Sequence, residues 1–264
     1  MKSLINDLTY FPHWGKGVWK VWRRNFLYFR YTLFAAMGWI FIEPVLLLTA
    51  FGYGLGHFVS EIDGQSYASF IAPALMANTA LFVAFFEGTY GTFTKLSKQN
   101  TLHTIIISPV EPDEVALAEI AWATSKAFIS VIAVSIVTVA LGLVDIQNIG
   151  IPLLFLLVFS WGIAAFGVLL ATISKTYDWF IYYQSGIITP MALFCGTYFP
   201  IDQLPAFFGW IAYSLPLTHV LDAVRALLRG SFHPDLILNI TYLLIFAIIF
   251  TNLAAAKMRK KLIL

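Results

Sequence analysis

Charge is the scarcest commodity in this chain of 264 residues: Asp, Glu, Lys and Arg together make up 11%, against roughly a quarter in a typical soluble domain. A soluble fold of this size could not hide the 59% of hydrophobic residues, because most of its area would still face water. An ordinary cytosolic enzyme, a disordered protein and a nucleic-acid binder are thereby excluded. A single cysteine, Cys195, leaves no internal disulfide and no reading of the redox compartment. Phosphate loops of the form G-x-x-x-x-G-K-[ST] are missing; Gly15-Lys16-Gly17 is the nearest fragment and fails on both sides. Without such a loop the chain cannot cradle ATP phosphates in that manner. No H-E-x-x-H or Cys/His cluster points to a metal, the histidines are scattered, and no ladder of carboxylates crosses the apolar segments to carry protons.

What is present is a series of long uncharged runs. Gly64–Phe86, Ala127–Val144, Ile146–Ser174, Trp179–Ile201 and Leu236–Ala256 contain no charged residue, and Tyr31–Gly56 is broken only by Glu43-Pro44. A helix needs about 20 mostly apolar residues to cross a bilayer. The runs predict an all-α polytopic membrane protein of six spans, at 31–56, 67–93, 116–143, 151–173, 179–199 and 236–256. The segment before Tyr31 is too charged and aromatic for a secretory signal, so none is expected to be removed. Odd-numbered topology puts thirteen Lys and Arg on the side of both termini and only Arg225 and Arg229 on the other. That bias places both termini in the cytoplasm.

Two segments fall outside the spans. Within the N-terminal unit, 1–30, Trp14, Val18, Val21, Trp22 and Asn25 or Phe26 recur at helical spacing, with Lys16, Lys20, Arg23 and Arg24 on another face. Such a stripe suits a helix lying in the membrane interface; the plainer alternative is a basic tail that only sets topology. The segment 200–234 carries prolines at 200, 205 and 216 among Leu204, Phe207, Phe208, Trp210, Leu215 and Leu217. It reads as two short helices, 203–213 and 217–229, dipping in from the outer face, or as an amphipathic loop on the lipid surface. In the second, Asp222 and Arg225 can pair at i,i+3, with His219 one turn earlier.

Ionisable residues inside spans are expensive and mark candidate sites. They are Glu43, Glu87, Glu119 and Lys126. At 1.5 Å per residue, Glu43 and Lys126 lie about 20 and 16 Å from the inner boundary, and Glu87 and Glu119 about 10 and 6 Å. Depth predicts a Glu43–Lys126 ion pair, with Glu87 as the second candidate partner. Aromatic residues are abundant, and Tyr182, Phe194, Tyr198 and Phe199 form the candidate wall of a conduit.

Several motifs together resemble the ABC-2 type permeases, most closely the branch that exports lipo-oligosaccharide nodulation factors. They are Tyr177-Asp178-Trp179-Phe180-Ile181-Tyr182-Tyr183-Gln184 with Ile188-Thr189-Pro190, Phe199-Pro200-Ile201-Asp202-Gln203-Leu204-Pro205, and Pro216-Leu217-Thr218-His219 followed by Asp222, Arg225 and Gly230. Glu87-Gly88-Thr89-Tyr90 and Ala118-Glu119-Ile120-Ala121-Trp122-Ala123 also fit, whereas Ala226 stands where that branch usually has proline. The resemblance implies an ABC-2 transmembrane domain over 31–264, acting as a homodimer with two copies of a separate ABC nucleotide-binding subunit that carries the ATP and Mg. It implies no catalytic residue, cofactor, metal or nucleic-acid site in this chain. It also implies a coupling helix in the 94–115 loop that docks into the ATPase, where Lys98, Leu102, His103 and Ile106 are the candidate contacts. Leu204, Phe207, Phe208, Leu217, His219, Asp222 and Arg225 would form an outer gate. The expected function is ATP-driven export of a lipo-oligosaccharide or related amphiphile across a bacterial inner membrane, in contact with membrane lipids. Export of drugs or small hydrophobic compounds is the nearest alternative, and a non-transporting scaffold or intramembrane enzyme the alternative of another class.

Overall fold

The computed structural model describes residues 7–8, 10–59, 61–62, 64–203 and 205–263, with the side chains of 33–41, 43, 44, 53, 55 and 206 outside the description. Its long elements are helices: α1 (Lys16–Leu47), α2 (Tyr67–Phe86), α3 (Thr101–Ile105), α4 (Pro112–Ala140), α5 (Gly150–Ile173), α6 (Asp178–Tyr183), α7 (Thr189–Phe194), α8 (Ala206–Tyr213), α9 (Pro216–Leu228) and α10 (Asp235–Ile263). Among the described residues no strand forms, and the lone β-bridge joins Ile62 to Gln65. The protein is all-α, as the uncharged runs predict.

Among the described residues four helices are long and apolar enough to cross a bilayer: Tyr67–Lys98, Pro112–Ala140, Gly150–Ile173 and Asp235–Ile263. Local chemistry sets their ends. Ser66 caps α2 by accepting from the Ser69 amide at 3.3 Å. Pro112 opens α4 behind a capping box of Glu111 and Glu114. This arrangement satisfies amides that have no carbonyl partner in the first turn. α2 runs on through wide π turns at Glu87–Gly91 and Thr94–Lys98, and stops at Asn100, whose φ of 51° turns the backbone left-handed.

The remaining segments differ from the expected layout. The interfacial helix and the first span are one continuous helix, α1; its described buried face is Val18, Val21, Asn25 and Phe29, which lies along α4. The expected fifth span is shorter than a full crossing: α6, a π turn at Gln184–Ile188 and α7 end at Phe194. Pro190, which lacks an N–H, follows that wide turn directly and accounts for the break in regular hydrogen bonding. The two short helices expected around the prolines are α8 and α9, bent by 80° to each other.

The core gathers where α2, α4 and α5 meet, around Ile71, Met76, Leu81, Phe85, Ile120, Leu156 and Phe159. There α2 and α5 approach almost backbone to backbone: a Cβ on Gly88 would sit 2.8 Å from the Ala164 carbonyl oxygen and 3.2 Å from Gly167 Cα. Small residues permit such contacts between membrane helices, where dispersion rather than water exclusion drives packing.

Candidate functional site

Three of the four charges expected inside spans, Glu87, Glu119 and Lys126, assemble into one cluster among α1, α2 and α4. Helical periodicity aligns Glu87 and Lys95 on α2 two turns apart, and Glu119, Trp122 and Lys126 on one face of α4. Lys126 Nζ lies 2.8 Å from Glu87 Oε2, and Trp122 Nε1 donates to Glu87 Oε1 at 2.8 Å. Glu119, 1% exposed, is held by a short contact from Lys95 and by Asn25 Nδ2 at 2.9 Å, with Arg24 Nη2 at 3.9 Å. Lys95 also reaches Glu87 at 4.0 Å, which joins the two halves. Two carboxylates thus share three cations drawn from three helices.

Among the described residues Lys126 pairs with Glu87, the second candidate by depth. The difference in level is bridged by the lysine stem, which lies with its ammonium 5.7 Å from the Phe29 ring centre and reaches back along the bundle. The favoured partner, Glu43, has its side chain outside the description. Sequence reasoning placed Lys95 in the coupling loop and Arg24 on the interfacial stripe, and so missed both. The spacing of Glu87 and Lys95, eight residues apart on one helix face, carried the signal.

A second polar assembly ties the chain ends to the start of α4. Asp7 pairs with Lys260 at 2.6 Å and Lys257 at 3.0 Å. The Lys260 ammonium hydrogen-bonded to Asp7 holds its carboxyl below the usual carboxylate range, against the opposing effect of burial. Tyr10 donates a short hydrogen bond to Asp113 and accepts from Arg259 at 2.6 Å. Glu114 accepts from the Gly17 amide at 2.8 Å and the Glu111 amide at 2.9 Å, so it serves the first turns of α1 and α4 together. A Cβ at Gly15 or Gly17 would come within 2.1 or 2.3 Å of that carboxylate. The Gly15-Lys16-Gly17 fragment is thus filled by a carboxylate of its own chain.

In the 94–115 loop the proposed docking residues divide. Leu102 is fully buried in the chain's own core and Ile106 packs against it. Leu102 is therefore corrected from a docking contact to a core residue: the α3 turn rotates it toward the bundle. Lys98 is exposed, with its ammonium 5.7 Å from the Tyr177 ring centre, and His103 is half-buried. The apolar side chain that faces outward is Ile107, 85% exposed.

The opposite end of the bundle is built differently. Leu204 lies outside the described residues. Phe207 and Phe208 are exposed, and Phe208 stacks on Phe194 at 5.1 Å. Leu217 is buried in the core. His219 stacks on Tyr242 at 4.0 Å and bridges Asn239 Oδ1 at 2.9 Å and the Tyr213 carbonyl at 3.1 Å. Arg225 lies 4.0 Å over the Phe70 ring and donates to the Phe70 carbonyl at 3.4 Å; Asp222 shares a cavity wall with it. Tyr198 accepts at its carbonyl from the Tyr67 hydroxyl at 3.2 Å, and Phe199 is half-buried beside it. Tyr182, by contrast, is exposed near Trp179, about 18 Å along the helix from Phe194. The four aromatics expected to form one wall are therefore split between two ends.

The ABC-2 type transporter family matches residues 16–228. Nodulation protein J of Rhizobium leguminosarum bv. viciae is 32% identical over 251 residues, covering 95% of this chain and 97% of the relative. Nodulation protein J of Rhizobium meliloti (strain 1021) is 31% identical over 242 residues, 92% of each chain. The inner membrane transport permease YadH of Escherichia coli (strain K12) is 19% identical over 213 residues, 79% of this chain and 83% of the relative. No solved structure matches the chain.

Proposed function

We propose that this chain, which belongs to the ABC-2 type transporter family, is the membrane permease of an exporter whose ATP is bound, with Mg, and hydrolysed by a separate ABC subunit. The working assembly is two copies of this chain with two ATPase subunits in a bacterial inner membrane, both termini cytoplasmic. The observation that carries the reading is likeness over nearly the whole length of nodulation protein J. Two features support it. The chain ends, the start of α4 and the 94–115 loop share one cation-rich end of the bundle, which suits a cytoplasmic face. The phosphate-loop-like fragment is occupied by Glu114, which suits an ATPase site on another chain. The proposed cargo is an amphiphile with a saccharide portion, such as a lipo-oligosaccharide.

In this reading, nucleotide binding by the ATPases favours one arrangement of the coupling segments and thereby one state of the dimer, since a ligand shifts states only by differential affinity. Exposed Lys98 and Ile107 face the ATPase, while Leu102 anchors the segment to the bundle. Co-expression with the cognate ATPase subunit tests the assembly. The expected result is a purified complex with equal copies of each chain and ATP hydrolysis only when the ATPase is present. Hydrolysis by this chain purified alone would overturn the division of labour.

A further inference from the structure

The described residues between 7 and 14, just ahead of α1, form a strap across the cation-rich end of the bundle. On one side α10 holds it. Asp7 pairs with Lys257 and Lys260, and Asn252 Nδ2 donates to the Leu8 carbonyl at 3.1 Å. On the other side α4 and α5 hold it. The Tyr10 hydroxyl and, at 3.2 Å, the His13 amide both donate to Asp113 Oδ2, and Trp14 stacks on Trp161 with ring centres 6.1 Å apart. Tyr10 belongs to both sides, because its oxygen also accepts from Arg259 Nη1 at 2.6 Å. Arg259 and Asp113 themselves approach only to 3.9 Å, with the guanidinium half exposed. Such a pair is too long for a hydrogen bond and contributes little where water screens it. Among the described residues the phenol oxygen therefore makes the hydrogen-bonded link between α10 and the first turn of α4.

That first turn is where the 94–115 segment ends. Ile105 and Val110 of the segment pack on Val18, Val21, Leu117 and Ala118, where α1 meets α4. Glu114, beside Asp113, takes the amides of both Glu111 and Gly17. The end of the segment, the start of α1 and the last turns of α10 thus converge on two adjacent carboxylates. Asp113 is 2% exposed, and a hydroxyl donating to a buried carboxylate is a charge-assisted bond, stronger than a neutral one. Packed side chains and hydrogen-bond networks of this kind carry coupling between elements. We propose that the strap is a brace that passes motion of the 94–115 segment to α1 and α10 together, with the Tyr10 hydroxyl positioning Asp113 and, through it, the end of that segment. The proposal rests on the permease reading only for the source of the motion; the brace itself is a property of this chain.

The test has two arms. The first is amide hydrogen exchange on the full-length chain alone in detergent. The amides of Ile106, Ile107, Ser108, Val110 and Glu111 are all hydrogen-bonded, so their exchange reports opening of the segment's end. Tyr10→Phe keeps the ring and removes the link, and should speed that exchange about tenfold, the size of one charge-assisted hydrogen bond. Tyr28→Phe makes the same change on an exposed ring of α1 and should leave it unchanged. The second arm places the chain and its cognate ATPase in proteoliposomes. Tyr10→Phe should lower the acylated chitin oligosaccharide moved per ATP hydrolysed about fivefold, with the complex still assembled and hydrolysing. Adding Arg259→Gln to Tyr10→Phe should lower the ratio little further, since both act through one contact. Equal exchange in the Tyr10 and Tyr28 variants overturns the proposal. A fall in transport and hydrolysis that leaves their ratio unchanged also overturns it, by making the tie merely structural. Additive losses from Tyr10→Phe and Arg259→Gln overturn it by giving the two residues separate roles. A wild-type complex that does not transport counts against the permease reading alone, and the exchange arm still decides the brace.

Discussion

The two ends of the bundle are built by different means. At the cation-rich end, Glu87 and Glu119 clamp α1, α2 and α4 through direct ion pairs, one at 2.8 Å and one shorter still. At the opposite end, Arg225 rests on the face of Phe70 and on a carbonyl at 3.4 Å, beside a segment whose Phe207 and Trp210 are largely exposed. A multivalent ionic clamp in a low-dielectric setting resists displacement. The short α8 buries few of its described side chains, so it can open at lower cost than the clamped end. In the proposed exporter this contrast suits a rigid end that receives the ATPase stroke and a yielding end that opens.

The contrast can be broken at either end. The largest effect is expected at the clamped end, from Leu102→Asp. Placing a carboxylate in the core behind α3 should cost at least about 4 kcal/mol, read as loss of a monodisperse folded chain in detergent. Ile107→Asp, on the exposed side of the same segment, should leave the fold intact and weaken copurification with the ATPase. Glu119→Ala comes next. It strands Lys95 and Arg24 and should lower stability by about 3 kcal/mol in denaturant titrations. The pair Lys95→Met with Glu119→Leu should recover a large part of that loss, because both charges are removed together.

At the yielding end, Arg225→Ala should cost about 1–2 kcal/mol and raise passive ion leak in proteoliposomes. Arg229→Ala, exposed beyond the last turn of α9, should change leak less. Equal leak from the two variants would remove Arg225 from the gate. The smallest effect is pH-dependent. Asp7 has its carboxyl pKa lowered by Lys260, so its contribution is fully present above the ordinary carboxylate range. It should be lost as pH falls through the lowered value. Asp7→Asn should flatten that acid dependence of the thermal midpoint: the variant's midpoint falls by the full, small contribution near pH 5 and above and converges on the wild-type value at low pH.

How far the sequence revealed this layout depended on whether each signal was local. Uncharged runs and caps are local, so α4 and α5 begin and end within four residues of their predicted limits and α2 and α10 start within one, while the regular part of α2 stops seven residues early at Phe86 and α10 runs seven residues on to Ile263. The proline-bounded pair α8 and α9 was legible for the same reason. The continuity of α1 was not, because cations on its early turns mimic an interfacial helix while Val18, Val21 and Phe29 pack on α4. The orientation of Leu102 was also hidden: five helical residues carry too little periodicity to say which face turns inward. Depth arithmetic ranked Glu87 only second for Lys126 because it tracks Cα positions and ignores the reach of a lysine. The spacing of Glu87 and Lys95 hinted that Lys95 joins the cluster, but its contact with Glu119 needed the fold, since Glu119 sits on another helix.

The central claim is that this chain moves an amphiphile only when an ABC ATPase drives it. The most direct measurement is uptake of a radiolabelled acylated chitin oligosaccharide into inside-out proteoliposomes holding the chain and its cognate ATPase. The account predicts transport that requires ATP, requires both proteins and falls with Ile107→Asp. Transport by this chain without the ATPase, or an assembled and hydrolysing complex that moves no acylated saccharide, would contradict it.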